Sequence, residues 1–232
     1  MQDIAFITLT NTGYIPYTIN CLQSLAKIDV SPLLLHCYVI GKEGYSILKA
    51  SGYTCTLLDD EKNSNFQEFR TGNWTDIVFK KFEIIYENLQ KYKYVCITDG
   101  DIVFEDKNFL QYLKHNIGSH DMLIQNDTDT HNDVNNLCSG FMYIASNEKT
   151  LELFKPENVN RFKQQDNWGD QLYINAIKEE LNYTLLPLSL FPNGSYYYTN
   201  HASLSPYMIH FNWVIGHEKE KKMRLHGKWF TT

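Results

Sequence analysis

The 232-residue chain has no basic excess: 21 lysines and arginines stand against 27 aspartates and glutamates, a net charge of −6. That argues against nucleic acid as the main partner, because neutralising phosphates needs clustered positive charge. No apolar run approaches the roughly 18 to 20 residues that cross a bilayer, so no transmembrane segment is expected. The opening "MQDIAFITLTNTGY" has no basic n-region and reads as a strand rather than a signal peptide. Cysteines are few, and Cys21, Cys37, Cys55, Cys96 and Cys138 contain no Cys-x-x-Cys pair. Most lie in apolar runs as buried thiols, which favours a reducing, cytoplasmic setting. Coiled-coil heptads, internal repeats and low-complexity linkers are also missing, and one domain over residues 1–232 is expected.

What is present is an alternation of two periodicities. "IAFITLT" (Ile4 to Thr10) reads as a strand, and "YIPYTINCLQSLAKI" carries apolar residues at helical spacing, with Pro16 in its first turn. A strand from Leu33, a short helix closed by Gly52, the strand "YTCTLL" and a helix from Trp74 to Tyr92 follow. The next strand opens "YVCITDGDIVFED", Tyr94 to Asp106. This order predicts an α/β fold, a mostly parallel central sheet flanked by helices. The second half is less regular. Strands are expected at Asp121 to Asn126, Gly140 to Ser146 and Tyr207 to Asn212, and helices near Glu148 to Phe154 and Trp168 to Leu181. About 1–104 would form a nucleotide-binding half and about 105–232 an acceptor-side half.

Ligands of such sheets bind beyond the carboxyl ends of the strands, where Asp99 and Asp101 stand. On extended backbone, residues two apart share a side, with Cα atoms roughly 6.5 to 7 Å apart. Two desolvated carboxylates need a positive partner. Oxygen ligands completed by phosphate suit Mn²⁺ or Mg²⁺. Gly100 between them would permit a bend and a close ligand approach. Taken alone, Asp-x-Asp equally describes a surface turn. Near the C-terminus His210 ends an apolar strand, Gly216 follows, and Lys221, Lys222 and Arg224 line an expected helix. A core histidine and a solvated lysine face are the plainer readings of these residues.

Five segments, "ITDGDIVF", "CSGFMYIAS", "WGDQLYIN", "LFPNGSYY" and "MIHFNWVIGHEKEKKMRLHGKW", occur in an order that resembles the nucleotide-diphospho-sugar transferase family. These are GT-A-type glycosyltransferases akin to glycosyltransferase family 77. The resemblance implies a GT-A-like single domain that moves a sugar from a nucleotide sugar, with uracil the expected base, to a glycan or glycoconjugate acceptor. It implies Asp99, Asp101 and His210 as ligands of Mn²⁺ or Mg²⁺, and Gly216 with Lys222, or Lys221, at the diphosphate. Thr8, Asn11 and Tyr14 would cup the nucleoside, Asp99 and Gly100 would adjoin the nucleotide, and Lys81, or Lys80 beside it, would lie near. Ser139 and Gly140 would flank the donor sugar. Asp170 and Gln171 would face the anomeric centre, with Asp170 as base or nucleophile, and retention of configuration is slightly favoured.

The aromatics Trp74, Trp168, Trp213 and Tyr196 to Tyr198 offer stacking surfaces for sugars, though most aromatics in such a domain are core. Two rival readings are weaker. A sugar nucleotidylyltransferase needs a Gly-rich basic loop after the first strand, and "TNTGYIPYT" has one glycine and no lysine or arginine. A carbohydrate-binding scaffold would hold Ca²⁺ in an acidic loop, for which Asp127 to Asp133 lacks regular EF-hand spacing.

Overall fold

Successive residues of the first strand serve opposite faces of one sheet. In β1 (Gln2–Asn11), Phe6 packs with Cys21, Leu22 and Leu25 of helix α1 (Ile15–Lys27), while Ala5 and Ile7 face the other layer. The structure, a computed structural model, describes residues 2–68, 70–128, 136–165 and 169–231. The remaining strands of this sheet are β2 (Leu35–Ile40), β3 (Cys55–Leu58), β4 (Tyr92–Thr98), β6 (Met122–Asn126), β7 (Leu137–Ala145) and β8 (Tyr183–Leu186). Their order is β3-β2-β1-β4-β7-β6-β8, and every neighbouring pair is parallel except the two that β7 makes. A two-stranded ribbon, β5 (Ile102–Phe104) with β9 (Met208–His210), stands apart.

Helices cover both faces of the sheet. On the Phe6 side lie α1, α2 (Lys42–Ala50) and α4 (Phe109–Asn116), which contribute Leu25, Leu48 and Phe109 to the core. On the Ile7 side lie α3 (Trp74–Leu89), α5 (Glu148–Leu153), α6 (Pro156–Lys163) and α7 (Asp170–Ile177), with Phe82, Leu153, Val159 and Ile174 buried against Val95 and Met142. A smaller cluster, Tyr17, Val103, Ile209, Phe211 and Met223, joins the ribbon to α8 (Gly194–Asn200) and α9 (His217–Leu225).

The mostly parallel α/β expectation agrees with this architecture. The single run from Tyr94 to Asp106 proves to be two strands in two sheets, because the chain turns at Asp99–Gly100–Asp101 before β5. Leu33 and Leu34 do not begin β2. Pro32 opens a 3-10 turn there and leaves both leucines exposed. No helix among the described residues is long and apolar enough to cross a membrane.

Candidate active site

The crest of β4 brings the first carboxylate to the sheet edge. Asp99 donates its backbone N–H to Gly140 O at 2.8 Å, which ties it to β7. Asp101 and His210 meet through the ribbon: Ile102 pairs with His210, and the Phe211 N–H donates to Asp101 O at 3.1 Å. His210 Nε2 then lies 3.3 Å from Asp101 Oδ1. One ligand atom from each of Asp99, Asp101 and His210 falls within 4.8 Å of the others. Two carboxylates and an imidazole suit an oxygen-seeking divalent cation. Gly140 leaves them space, for a Cβ there would stand 2.3 Å from His210 Cε1 and 3.0 Å from Asp99 Oδ2. The residues present therefore fit the metal that the sequence resemblance implies.

Two ammonium groups, one buried and one partly buried, supply positive charge. On α3 the buried face carries Phe79, Phe82, Ile85 and Lys81. Lys81 Nζ sits 2.9 Å from Asp99 Oδ1 and 2.6 Å from Asp170 Oδ2, and donates to Ser139 O at 3.2 Å. Burial alone would lower the pKa of Lys81, but the Asp170 and Asp99 carboxylates overcome it and hold the ammonium above its ordinary range. Lys80 points away, 3.7 Å from Asp60. The second cation is Lys219 on α9, which pairs with Asp101 Oδ2 and donates to the Tyr14 hydroxyl at 2.7 Å. Here too burial opposes the charge, and Asp101 and Tyr14 outweigh it to raise the pKa. Burial would in turn raise the Asp101 pKa, but Lys219 and His210 hold it well below the ordinary carboxylate range.

The lysines expected at the diphosphate lie elsewhere. Lys221 is exposed and pairs with Glu218. Lys222 sits over the Tyr198 ring, 4.9 Å from its centroid. Neither lines the cavity, of about 720 Å³, that holds Lys219, Asp99, Asp101 and His210. The correction follows from helix phase. Gly216, with φ of +54°, sets the start of α9, and residues four apart share a face, so Lys219 turns inward with buried Met223.

Asn11, Tyr14 and Phe66 form one corner of the cavity. The Tyr14 and Phe66 rings are parallel to within 10°, with centroids 6.2 Å apart. Asn11 Nδ2 donates to Asn63 O at 3.2 Å and Asn65 O at 2.8 Å. Its Oδ1 is buried without a partner among the described residues. Thr8 does not join them: it lies deeper in β1, fully buried, outside the cavity lining. Gly100 does line the cavity, but its missing Cβ faces Thr18 Oγ1 at 2.8 Å, so the glycine admits α1 rather than a ligand.

On the opposite wall Asp170 opens α7. Lys81 Nζ at 2.6 Å and Ser139 Oγ at 2.9 Å both donate to its Oδ2, which fixes the carboxylate. Gln171 donates to Asp127 Oδ2 at 2.9 Å and Asn136 Oδ1 at 3.3 Å. Asp127 Oδ1 accepts from Asn212 Nδ2 at 2.8 Å and Trp213 Nε1 at 3.1 Å. Trp213 has a φ of +62°, rare for a bulky side chain, and is 56% exposed at the cavity. Exposed Phe66, Leu172 and Ile215 share that lining, as does Trp74. Trp168 and residues 129–135 of the acidic loop lie outside the described residues. Tyr196 to Tyr198 belong to α8 and do not line the cavity; Tyr197 packs against Phe211 and His226.

Of the residues expected from sequence, Asn11, Tyr14, Lys81, Asp99, Gly100, Asp101, Ser139, Gly140, Asp170, Gln171, His210 and Gly216 share this cavity. Sequence reasoning missed Lys219 and gave Asp127 no place in this cavity. The signal for Lys219 was present, because Met223 is the apolar residue four positions on.

The fold is that of GT-A glycosyltransferases. Over the whole chain it matches the galactosyltransferase LgtC, solved with donor and acceptor sugar analogues, at a TM-score of 0.62 and 12% identity, covering 97% of that chain. Mouse xyloside xylosyltransferase 1 matches at 0.55 and 12% identity, over 90% of this chain and 98% of the other. The sequence profile of the nucleotide-diphospho-sugar transferase family matches residues 41–225. The chain belongs to that family. A curated relative, the UDP-galactose:fucoside alpha-3-galactosyltransferase of Dictyostelium discoideum, is 22% identical over 99% of this chain. The chain spans 43% of that relative's length.

Proposed function

We propose that the protein is a metal-dependent transferase that moves a sugar from a UDP-sugar to a glycan hydroxyl, with retention at the anomeric carbon. The observation that carries this reading is the meeting of Asp99, Asp101 and His210 with two ammonium groups, buried Lys81 and partly buried Lys219, in one cavity. Asp99, Asp101 and His210 would hold Mn²⁺ or Mg²⁺, which when bound supplies Lewis-acid stabilisation of a departing diphosphate. Lys219, beside Gly216, puts fixed positive charge where phosphate charge develops. In this role it replaces Lys221 and Lys222.

Asn11 supports the choice of base. Its Nδ2 is committed to two carbonyls and its Oδ1 is buried without a partner among the described residues, so the acceptor left for a base is Oδ1, which the side chain must shift to present to the cavity. Uracil presents an N–H at N3, and guanine one at N1; cytosine and adenine present a bare nitrogen there. The relative's name, with its UDP donor, favours uracil. That name also pairs UDP-galactose, an α-glycosyl phosphate, with an alpha-3 linkage, which is net retention. Asp170 and Gln171 face the donor sugar, with Ser139 and Gly140 beside it. The exposed faces of Trp213 and Phe66 offer stacking surfaces to a carbohydrate acceptor. Five free buried cysteines suit a reducing, cytoplasmic setting.

The test is UDP release from UDP-galactose, UDP-glucose and UDP-xylose, with and without methyl fucoside, in Mn²⁺ and in EDTA. Metal-dependent release from one donor, with an α-linked product, is expected. Folded protein that releases UDP from none of the three overturns the reading.

A further inference from the structure

His210 has two ring nitrogens with different partners. Nε2 faces Asp101 Oδ1 at 3.3 Å, and Nδ1 faces Gln125 Oε1 at 2.8 Å. Gln125 is fully buried on β6, where the pairing with β7 slips between Ile124↔Met142 and Gln125↔Cys138. A strand irregularity of this kind re-aims a side chain and is common beside active sites. The amide nitrogen of Gln125 donates to Phe191 O at 3.1 Å and Pro192 O at 3.0 Å. Turning the amide over would set its oxygen against two carbonyl oxygens, so its orientation is fixed.

The consequence runs through the imidazole. Gln125 Oε1 can only accept, so Nδ1 of His210 must carry the hydrogen. The neutral ring then presents a bare Nε2 lone pair to Asp101. An imidazole beside a carboxylate and without such a clamp would put its hydrogen on Nε2 and donate to that carboxylate, and this tautomer has no lone pair at Nε2 to give a metal. The other neighbour of Nδ1, Cys138 Sγ at 3.7 Å, is a weak partner and does not decide the matter.

We propose that Gln125 is a positioning residue that holds His210 in the Nδ1–H tautomer, so that Nε2 offers its lone pair to a divalent cation shared with Asp99 and Asp101. This rests on the metal reading of the site. Outer-shell partners of this type govern ligand orientation and basicity, and losing one typically weakens metal binding ~10- to 100-fold.

Two readouts independent of turnover test it. Nitrogen-15 spectra of histidine-labelled, metal-free protein should show His210 with hydrogen on Nδ1, facing Gln125. A His210 that carries its hydrogen on Nε2 and none on Nδ1 overturns the proposal whatever the metal does. Mn²⁺ titration followed by electron paramagnetic resonance should show the dissociation constant of Gln125→Met raised ~10- to 100-fold. Equal affinity in wild type and a folded Gln125→Met overturns the proposal. A wild type that takes up no Mn²⁺ overturns the metal reading itself, and with it the purpose of the clamp; the spectra keep these failures distinct.

Discussion

Lys81 Nζ and Asp170 Oδ2 stand 2.6 Å apart, both buried, and join the middle of α3 to the first residue of α7. The same ammonium reaches Asp99, so one cation holds the acidic crest of β4 and the carboxylate across the cavity in fixed relation. Removing one partner of a buried pair costs about 3–5 kcal/mol, because the other charge is left uncompensated. Lys81→Met should lose stability on that scale in urea unfolding. A change within experimental error would show that water compensates the two carboxylates.

Asp170→Asn keeps the shape and an acceptor for Lys81 and Ser139 but removes the charge facing the proposed anomeric centre. We expect UDP affinity to be retained while turnover falls by ~100-fold or more. Weakened donor binding with unchanged turnover would assign Asp170 to binding instead.

Lys219 and Lys221 are two residues apart on α9, yet only the first enters the cavity. Charge-assisted hydrogen bonds contribute about 1.5–3 kcal/mol, so Lys219→Ala should weaken UDP binding by ~10- to 100-fold. Lys221→Ala removes an exposed pair with Glu218 and should leave binding unchanged. Calorimetry on the two variants separates them, and the reverse ranking would refute the placement of α9 at the diphosphate.

Gly140→Ala would set a methyl group 2.3 Å from His210 Cε1. The ring must move, so Mn²⁺ affinity should fall sharply, with a loss of about 1–3 kcal/mol of stability from overpacking in a protein that still folds. Unaltered Mn²⁺ affinity would mean that His210 does not ligate.

Acid sensitivity should begin near neutrality rather than near pH 4. Burial, with His201, Lys222 and Lys228, lowers the pKa of His226 below its ordinary 6.5, and burial with Lys49 does the same for His36. Below 6.5 the unfolded chain binds more protons than the folded one, so this stabilisation is full above about 6.5 and is lost as the pH falls. The depressed carboxylates Asp76, Asp101 and Asp121 withdraw theirs only below the ordinary carboxylate range. Melting temperature should drop between pH 7.5 and 5.5, and His226→Phe, which keeps a ring against Tyr197, should reduce that drop. Equal drops in both proteins would assign the effect elsewhere.

The first half of the fold was legible because its strands alternate and its helices repeat at their own period, as Phe6 against Ala5 and Ile7 illustrates. Asp99, Asp101 and His210 were legible as chemistry, since two carboxylates ending an apolar strand need a cation. The ribbon that brings Asp101 to His210 was not, because β5 and β9 are three residues each and lie over a hundred residues apart. Short α6 and α8 show no sustained apolar repeat at helical spacing: α6 has only Val159 and Phe162, and the apolar residues of α8 are three consecutive tyrosines. Lys219 was hidden among four cations in six residues, where only the phase of α9 distinguishes them. Gln125 reads as one polar residue in a strand, and its role arises from the slip in register that no local pattern announces.

The most direct test of a metal-assisted UDP site is a calorimetric titration of UDP into the protein, once with Mn²⁺ and once with excess EDTA. Saturable binding that depends on Mn²⁺ is the expected result. Binding of equal strength in EDTA, or none by folded protein with Mn²⁺ present, would contradict it.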